Sequence, residues 1–302
     1  MKELSELRKY YNDTLHKVLR RLDRRRQWML VLFFFSVLLF LAVGWLVVET
    51  HVPALTLLVL LPLTGYASFL YSRILRFKAR FKPPVVNLIL SFLGLNLVYE
   101  QQGKIELEHF QKSGLFVNNI NYYNGEDLIR GTIEDAAFEM SELDVREHSQ
   151  VRNQPRQVFR GIFFHIEFKE PFRGKILMLP KADKPFQSRT IKRITRSGGY
   201  RIDVPNEKFN ELYLVYADAT VAPSNLLHEG IYETILAFRK KTNDKSIYVS
   251  FVESHLYLAI VDSKDILEPN IWKTNASFKL VQDFYEDLSD LEWIVHDFDA
   301  YH

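Results

Sequence analysis

Glu126 and Asp127, directly after Gly125, together with Glu142 beside Ser141, form the best carboxylate constellation in this 302-residue chain. Paired carboxylates can hold Mg²⁺ or divide acid and base roles, provided the intervening chain folds back to join them. The same residues suit a plain loop, because glycine permits a turn and Asp or Glu accepts backbone hydrogen bonds where a strand begins. Sequence motifs offer no other chemistry. The chain contains no phosphate loop ending Gly-Lys-Ser/Thr, no G-x-G-x-x-G, no G-x-S-x-G and no H-E-x-x-H. Its nine histidines never pair at metal-ligand spacing, and His165 and His296 read as structural residues. With no cysteine, disulfides, thiolate metal sites and cysteine nucleophiles are excluded. No catalytic residue, cofactor or metal is therefore expected. A metal-assisted hydrolase on Glu126, Asp127 and Glu142 is the alternative.

Charge points elsewhere. Formal net charge is only +2, yet residues 1–82 carry 14 Lys or Arg against 5 Asp or Glu, and the remainder 25 against 32. Within that acidic remainder, Lys181, Lys184, Arg189, Lys192, Arg193, Arg196 and Arg201 face only Asp183. Such a cluster suits anionic lipid or a protein partner, each cation contributing about 1 kcal/mol close to a charged bilayer. A solvated loop balancing an acidic domain is the competing reading, and Ser197-Gly-Gly199 supplies a turn within it.

These groups need a platform, and the first part of the chain says where it stands. Residues 28–48 hold 21 positions without a charge, 15 of them Leu, Val or Phe. As a helix they match the roughly 30 Å hydrocarbon core of a bilayer. A second run, 54–71, is shorter and contains Pro62 and Gly65, which membrane helices tolerate. Arg24, Arg25 and Arg26 precede the first run, and Arg73, Arg76 and Lys78 follow the second. The turn between them has no Lys or Arg. The positive-inside rule then predicts a two-helix transmembrane hairpin with both termini cytoplasmic. Nucleic-acid binding by the arginines is set aside because a span begins two residues later. Residues 1–27 read as an amphipathic helix, with Leu4, Tyr11 and Val18 seven apart and Arg8, Leu15 and Leu22 likewise.

Residues 72–84 read as a basic linker ended by Pro83 and Pro84, since proline disfavours helix at the residue before it. Residues 85–302 read as one α+β cytoplasmic domain. Within it, 85–98 is predicted as a core helix, and 105–112 as a short helix closed by Gly114. Ile162, Phe164, Ile166 and Phe168 alternate with Phe163, His165 and Glu167, which predicts a half-buried strand. Its expected neighbours are 128–140 and 175–179. Residues 212–217 read as a strand and 223–241 as a helix. Residues 247–252 and 256–261 read as a hairpin, and 278–291 as a last helix.

Several stretches carry a family resemblance: Ser113-Gly-Leu-Phe116, Tyr123-Asn-Gly-Glu-Asp127, Gly131, Phe138 and Ser141-Glu142. Further along come Phe159-Arg-Gly161, Phe168-Lys169, Phe172-Arg-Gly174 and Leu179-Pro180. The last are Phe209-Asn-Glu-Leu-Tyr213, Val215-Tyr-Ala-Asp218 and Ser250-Phe251. In this order, residues 83–298 resemble a bacterial family known only as domain of unknown function 3137. Ala219-Thr220 and Ser224 depart from its pattern, which has a second acidic residue and an arginine there. The resemblance implies architecture and a location at the bacterial inner membrane, and no activity. The reading that results is a membrane-anchored binding or scaffold module for a protein, a ligand or a lipid headgroup.

Overall fold

The computed structural model describes residues 4–50, 53–94, 96–133, 135–149, 154–169, 174–183, 187–221, 229–262, 272, 274, 276–279 and 281–286. Within the helices, the side chains of 47, 48, 50, 53–60 and 78 lie outside that description. The chain divides into two compact units, Met1–Leu93 with Leu267–Tyr285, and Gly94–Ile266 with Glu286–His302.

In the first unit, α1 (Leu4–Tyr10) passes through one π turn (Tyr11–Leu15) into α2 (His16–Thr50). Leu7, Tyr11, Leu15, Leu19 and Leu22 are its buried face. Their spacing of four around Tyr11 suits the wider π turn, so the seam misses Leu4, which is 45% exposed. One helix among the described residues, Leu4–Leu46, is long and apolar enough to cross a membrane, its most apolar 18-residue window having a mean hydropathy of 2.7. The second apolar run lies in α3 (Pro53–Leu93), but the side chains of 54–60 are outside the described residues. The two-span expectation thus reduces here to one candidate span. Pro83 and Pro84 do not end a helix: α3 runs through both. An interior proline costs a helix about 3 kcal/mol. Burial of Phe81, Val85, Val86, Ile89 and Leu90 on either side offsets that cost. The Tyr10 ring stacks on Phe92 at 4.9 Å, and its hydroxyl donates to the Leu88 carbonyl at 3.2 Å. Tyr11 donates to the Ala276 carbonyl at 2.7 Å, and Phe92 meets Tyr285 at 6.0 Å. The stretch around 276–285 therefore packs with these helices rather than within the sheet unit. Of the last predicted helix, 278–279 and 281–286 are described as helical.

The second unit is a nine-stranded antiparallel sheet with helices on both faces. Its strands are β1 (Asn96–Glu100), β2 (Ile120–Ile133), β3 (Ala136–Ser149), β4 (Gln154–Glu167), β5 (Lys175–Pro180), β6 (Tyr200–Ile202), β7 (Tyr213–Ala217), β8 (Ile247–Val252) and β9 (His255–Val261). They lie in the order β1-β2-β3-β4-β9-β8-β5-β7-β6. The expected strand over 128–140 is in fact the end of β2 and the start of β3, with Ile133 paired to Ala136. The expected neighbour 175–179 lies three places from β4, whose partners are β3 and β9. Sequence adjacency misleads here because β8 and β9 arrive from 80 residues downstream and insert between them.

One sheet face is covered by α4 (Leu107–Lys112) and α5 (Ser188–Arg196), which contribute Phe110 and Ile194 to the core of Leu143, Val145, Phe159, Phe163, Leu177 and Tyr257. As anticipated, α4 ends at Gly114, which holds φ at 64°. On the other face, Tyr213 stacks on Phe209 of α6 (Glu207–Leu212) at 4.6 Å, and Phe209 meets Tyr232 of α7 (Glu229–Lys241) at 5.0 Å. With both faces covered, the alternation in β4 does not separate core from solvent. Phe163 is 0% exposed, Phe164 2% and His165 4%. The half-buried reading of Phe163 and His165 is therefore corrected.

Candidate functional site

Cross-strand pairing lines up one row of residues on the α4 face. Val98 faces Arg130, Arg130 faces Glu139, Glu139 faces His165, and His165 faces Tyr257. Side chains at directly paired positions share a face about 4.5–5.5 Å apart, so this register sets a cation, a carboxylate, an imidazole and a phenol side by side. From above, α4 brings His109, anchored by the buried Phe110 next to it. A cleft of about 440 Å³ opens on this row, with Val98, Arg130, Gly131, Phe138, Glu139 and His165 in its wall. Arg130 is held at the cleft by Glu100, 2.6 Å away.

His109 Nδ1 and His165 Nδ1 both meet Glu139 Oε2, at 3.0 and 3.1 Å. His165 Nε2 lies 3.0 Å from His255 Nδ1, and His255 Nε2 lies 2.9 Å from Lys112 Nζ. One proton arrangement satisfies the whole chain, because an ammonium can only donate and a carboxylate only accept. Lys112 donates to His255, His255 donates through Nδ1 to His165, and His165 donates through Nδ1 to Glu139. Burial, aided by Lys112 and His165, lowers the His255 pKa and favours the neutral ring this order requires. The hydrogen bond from His165, with a further one from His109, holds the Glu139 carboxyl below its ordinary value despite burial. The Tyr257 ring lies nearly parallel to His165, 5.0 Å away, and fixes the imidazole plane.

The carboxylates singled out from sequence also meet. The β2–β3 hairpin is the required fold-back: Glu126 pairs with Glu142, and a ligand atom from each of Glu126, Asp127 and Glu142 lies within 4.8 Å of the others. Asp127 sits at an irregularity of β2 with φ at 61°, and it accepts a 2.6 Å hydrogen bond from Tyr99. Each of the three residues already has an interaction of its own, which fits a structural role at the irregularity of β2. Ser141 accepts from the Ile105 amide at 3.1 Å.

The central part of the basic segment, Ser188–Arg196, is the helix α5 rather than a loop. Arg189, Lys192, Arg193 and Arg196 form one exposed stripe of α5, opposite buried Thr190 and Ile194. Arg189 pairs with Glu147, and Arg201 on β6 with Asp203 at 2.9 Å. Lys181 lies in a short 3₁₀ turn, and Lys184 is outside the described residues. Of the cations flanking the apolar runs, Arg24, Arg25, Arg73 and Arg76 are exposed, whereas Arg26 is buried against Asp23 at 2.7 Å. The Lys78 side chain is outside the described residues.

Sequence reasoning missed the histidine cluster. Its members sit at 109, 139, 165 and 255, so no local spacing signals them. The only hint was the polar His165 within an otherwise apolar strand.

The fold and the site together define an α+β domain built on one antiparallel sheet, carrying a histidine–carboxylate cluster in a cleft and preceded by a long apolar helix. Residues 157–300 match the family model described as Protein of unknown function (DUF3137), an uncharacterised domain family. No curated protein matches the chain. Among solved structures, the chain is similar to the crystal structure of the mycobacterial trehalose monomycolate transport factor A, TtfA, with 10% identity and a TM-score of 0.35. That alignment covers 67% of this chain and 91% of the other.

Proposed function

We propose that the chain is a bacterial inner-membrane protein, anchored by a hairpin of α2 and α3 with both termini cytoplasmic, whose α+β domain is a binding or scaffold module at that surface. The observation that carries this reading is the exposure of the apolar helix: only 6% of its most apolar 18-residue window is buried. A core helix of a soluble protein would bury most of it, since a large contiguous apolar surface is unfavourable in water. Contact of Tyr10 with Leu88 and Phe92 supports the antiparallel hairpin, because it sets the end of α3 beside the start of the chain's first helix. Reporters fused before Met1 and after His302 should both read cytoplasmic. A C-terminal reporter on the far side would show that the 54–71 run does not cross.

The α5 stripe supports anionic lipid headgroups as one ligand of the module. Lys192, Arg193 and Arg196 would together contribute about 3 kcal/mol close to an anionic surface. Amide exchange in α5, measured on the full chain in nanodiscs, should slow about tenfold with anionic lipid and recover at high salt, where exposed charges are screened. Lys192→Gln, Arg193→Gln and Arg196→Gln together should erase that difference. Equal exchange in neutral and anionic discs for the unaltered chain would rule the lipid reading out.

A further inference from the structure

We propose that His109, Glu139 and His165 bind a divalent transition metal ion of the zinc class, with one coordination position open to the cleft. Two imidazole nitrogens and one carboxylate oxygen are a borderline donor set, suited to Zn²⁺ and its neighbours rather than to Mg²⁺ or Ca²⁺, which take oxygen ligands. The separations fit. The three ligand atoms lie within 4.8 Å of one another, with both Nδ1 atoms 3.0–3.1 Å from the same oxygen. Ligands of tetrahedral zinc, each about 2.0–2.1 Å from the metal, stand about 3.3 Å apart. The two separations from Glu139 need to open by only about 0.3 Å to reach that spacing.

The support around the triangle is that of a built site. Glu139 and His165 are paired positions on adjacent strands, and His109 is fixed by the core residue Phe110. Rigid elements of this kind hold ligands to the tolerance a metal demands. When Nδ1 of His165 turns its lone pair to the ion, the ring proton moves to Nε2. There it is donated to Nδ1 of His255, the outer-shell contact that metal-bound histidines ordinarily make. The His255 proton then moves to Nε2, which no longer accepts from Lys112, so the ammonium must leave that nitrogen for its second partner, Glu253, 3.2 Å away. Three protein ligands leave a fourth position for water or an incoming group, as in catalytic rather than structural zinc sites. That position opens on a cleft whose wall carries Arg130, a cation already paired with Glu100 at 2.6 Å.

The test uses the full chain without a histidine tag, purified in detergent and stripped with a chelator. Titration with Zn²⁺ by calorimetry, and with Co²⁺ by visible absorption, should show one equivalent bound, with the strong bands of four-coordinate cobalt. His109→Ala removes a half-exposed ligand, and Glu139→Gln keeps the side-chain shape while removing the charge. Each should weaken binding at least about a hundredfold, beyond the 10- to 100-fold typical of outer-shell changes, with unfolding of the metal-free protein recorded alongside. Glu126→Gln, in the other carboxylate group, should change neither stoichiometry nor affinity. Absence of a bound equivalent in the unaltered chain would overturn the proposal. So would binding that survives both His109→Ala and Glu139→Gln, or binding that is lost in Glu126→Gln.

Discussion

Replacing Phe163 with alanine is expected to cost the sheet domain about 3–5 kcal/mol, the range for emptying a buried phenylalanine site. Its ring is fully buried and lies 5.0 Å from Phe110, 6.1 Å from Tyr257 and 6.2 Å from Phe159. These neighbours come from α4, β9 and β4 itself, so no single element can move in to fill the space. Phe164, on the opposite face against Phe138, should cost a similar amount. Urea unfolding of the full chain in detergent, read by pulse proteolysis of the domain, measures both. A loss below about 1 kcal/mol for Phe163→Ala, beside a large loss for Phe164→Ala, would mean that the α4 face is not packed.

Gly161→Ala is expected to cost at least about 3 kcal/mol, from backbone strain of about 1–3 kcal/mol and the loss of adjoining ladder hydrogen bonds. Gly161 has φ at 148°, and a Cβ there would lie 2.0 Å from the Ile260 carbonyl oxygen and 2.7 Å from the Asp262 amide nitrogen. Both are backbone atoms, one in β9 and one just past its end, so the chain itself must shift. In the sheet order, β4 and β9 form the seam between β1–β4 and the remaining five strands. The substitution should therefore speed amide exchange at Ile260 and Leu258 before it affects β2 and β3. Stability within about 0.5 kcal/mol of the unaltered protein would show that the seam is looser than this geometry.

Local features of the fold were legible because local chemistry dictates them. Gly114 ends α4, since glycine alone adopts its left-handed angle without strain. The β8–β9 hairpin follows from two apolar runs around the polar Glu253-Ser-His255, of which Glu253 and Ser254 make the turn and His255 begins β9. The buried stripe Ile231, Ile235 and Phe238 of α7 is the helical period written in sequence. Where two local rules competed, the packed context decided. Pro83 and Pro84 predict a helix end, yet buried residues on both sides carry α3 through them. The alternation in β4 predicts one wet face, yet α4 and its neighbours cover that face.

By itself the amino-acid order determined the apolar helix with its flanking arginines, the α+β class and the positions of most strands and helices. Each rests on interactions within a few turns of helix or one strand, or on transfer of a whole segment from water. Only the tertiary structure decided which residues meet. Glu126, Asp127 and Glu142 were legible as a group because one hairpin separates them, and its fold-back is a short-range event. His109, Glu139, His165 and His255 come from four elements spread over 147 positions. Their meeting depends on β9 pairing with β4 and on α4 packing over that pair. Strand order is set by burial of the whole sheet, a sum over many side chains, so no spacing in the sequence encodes it.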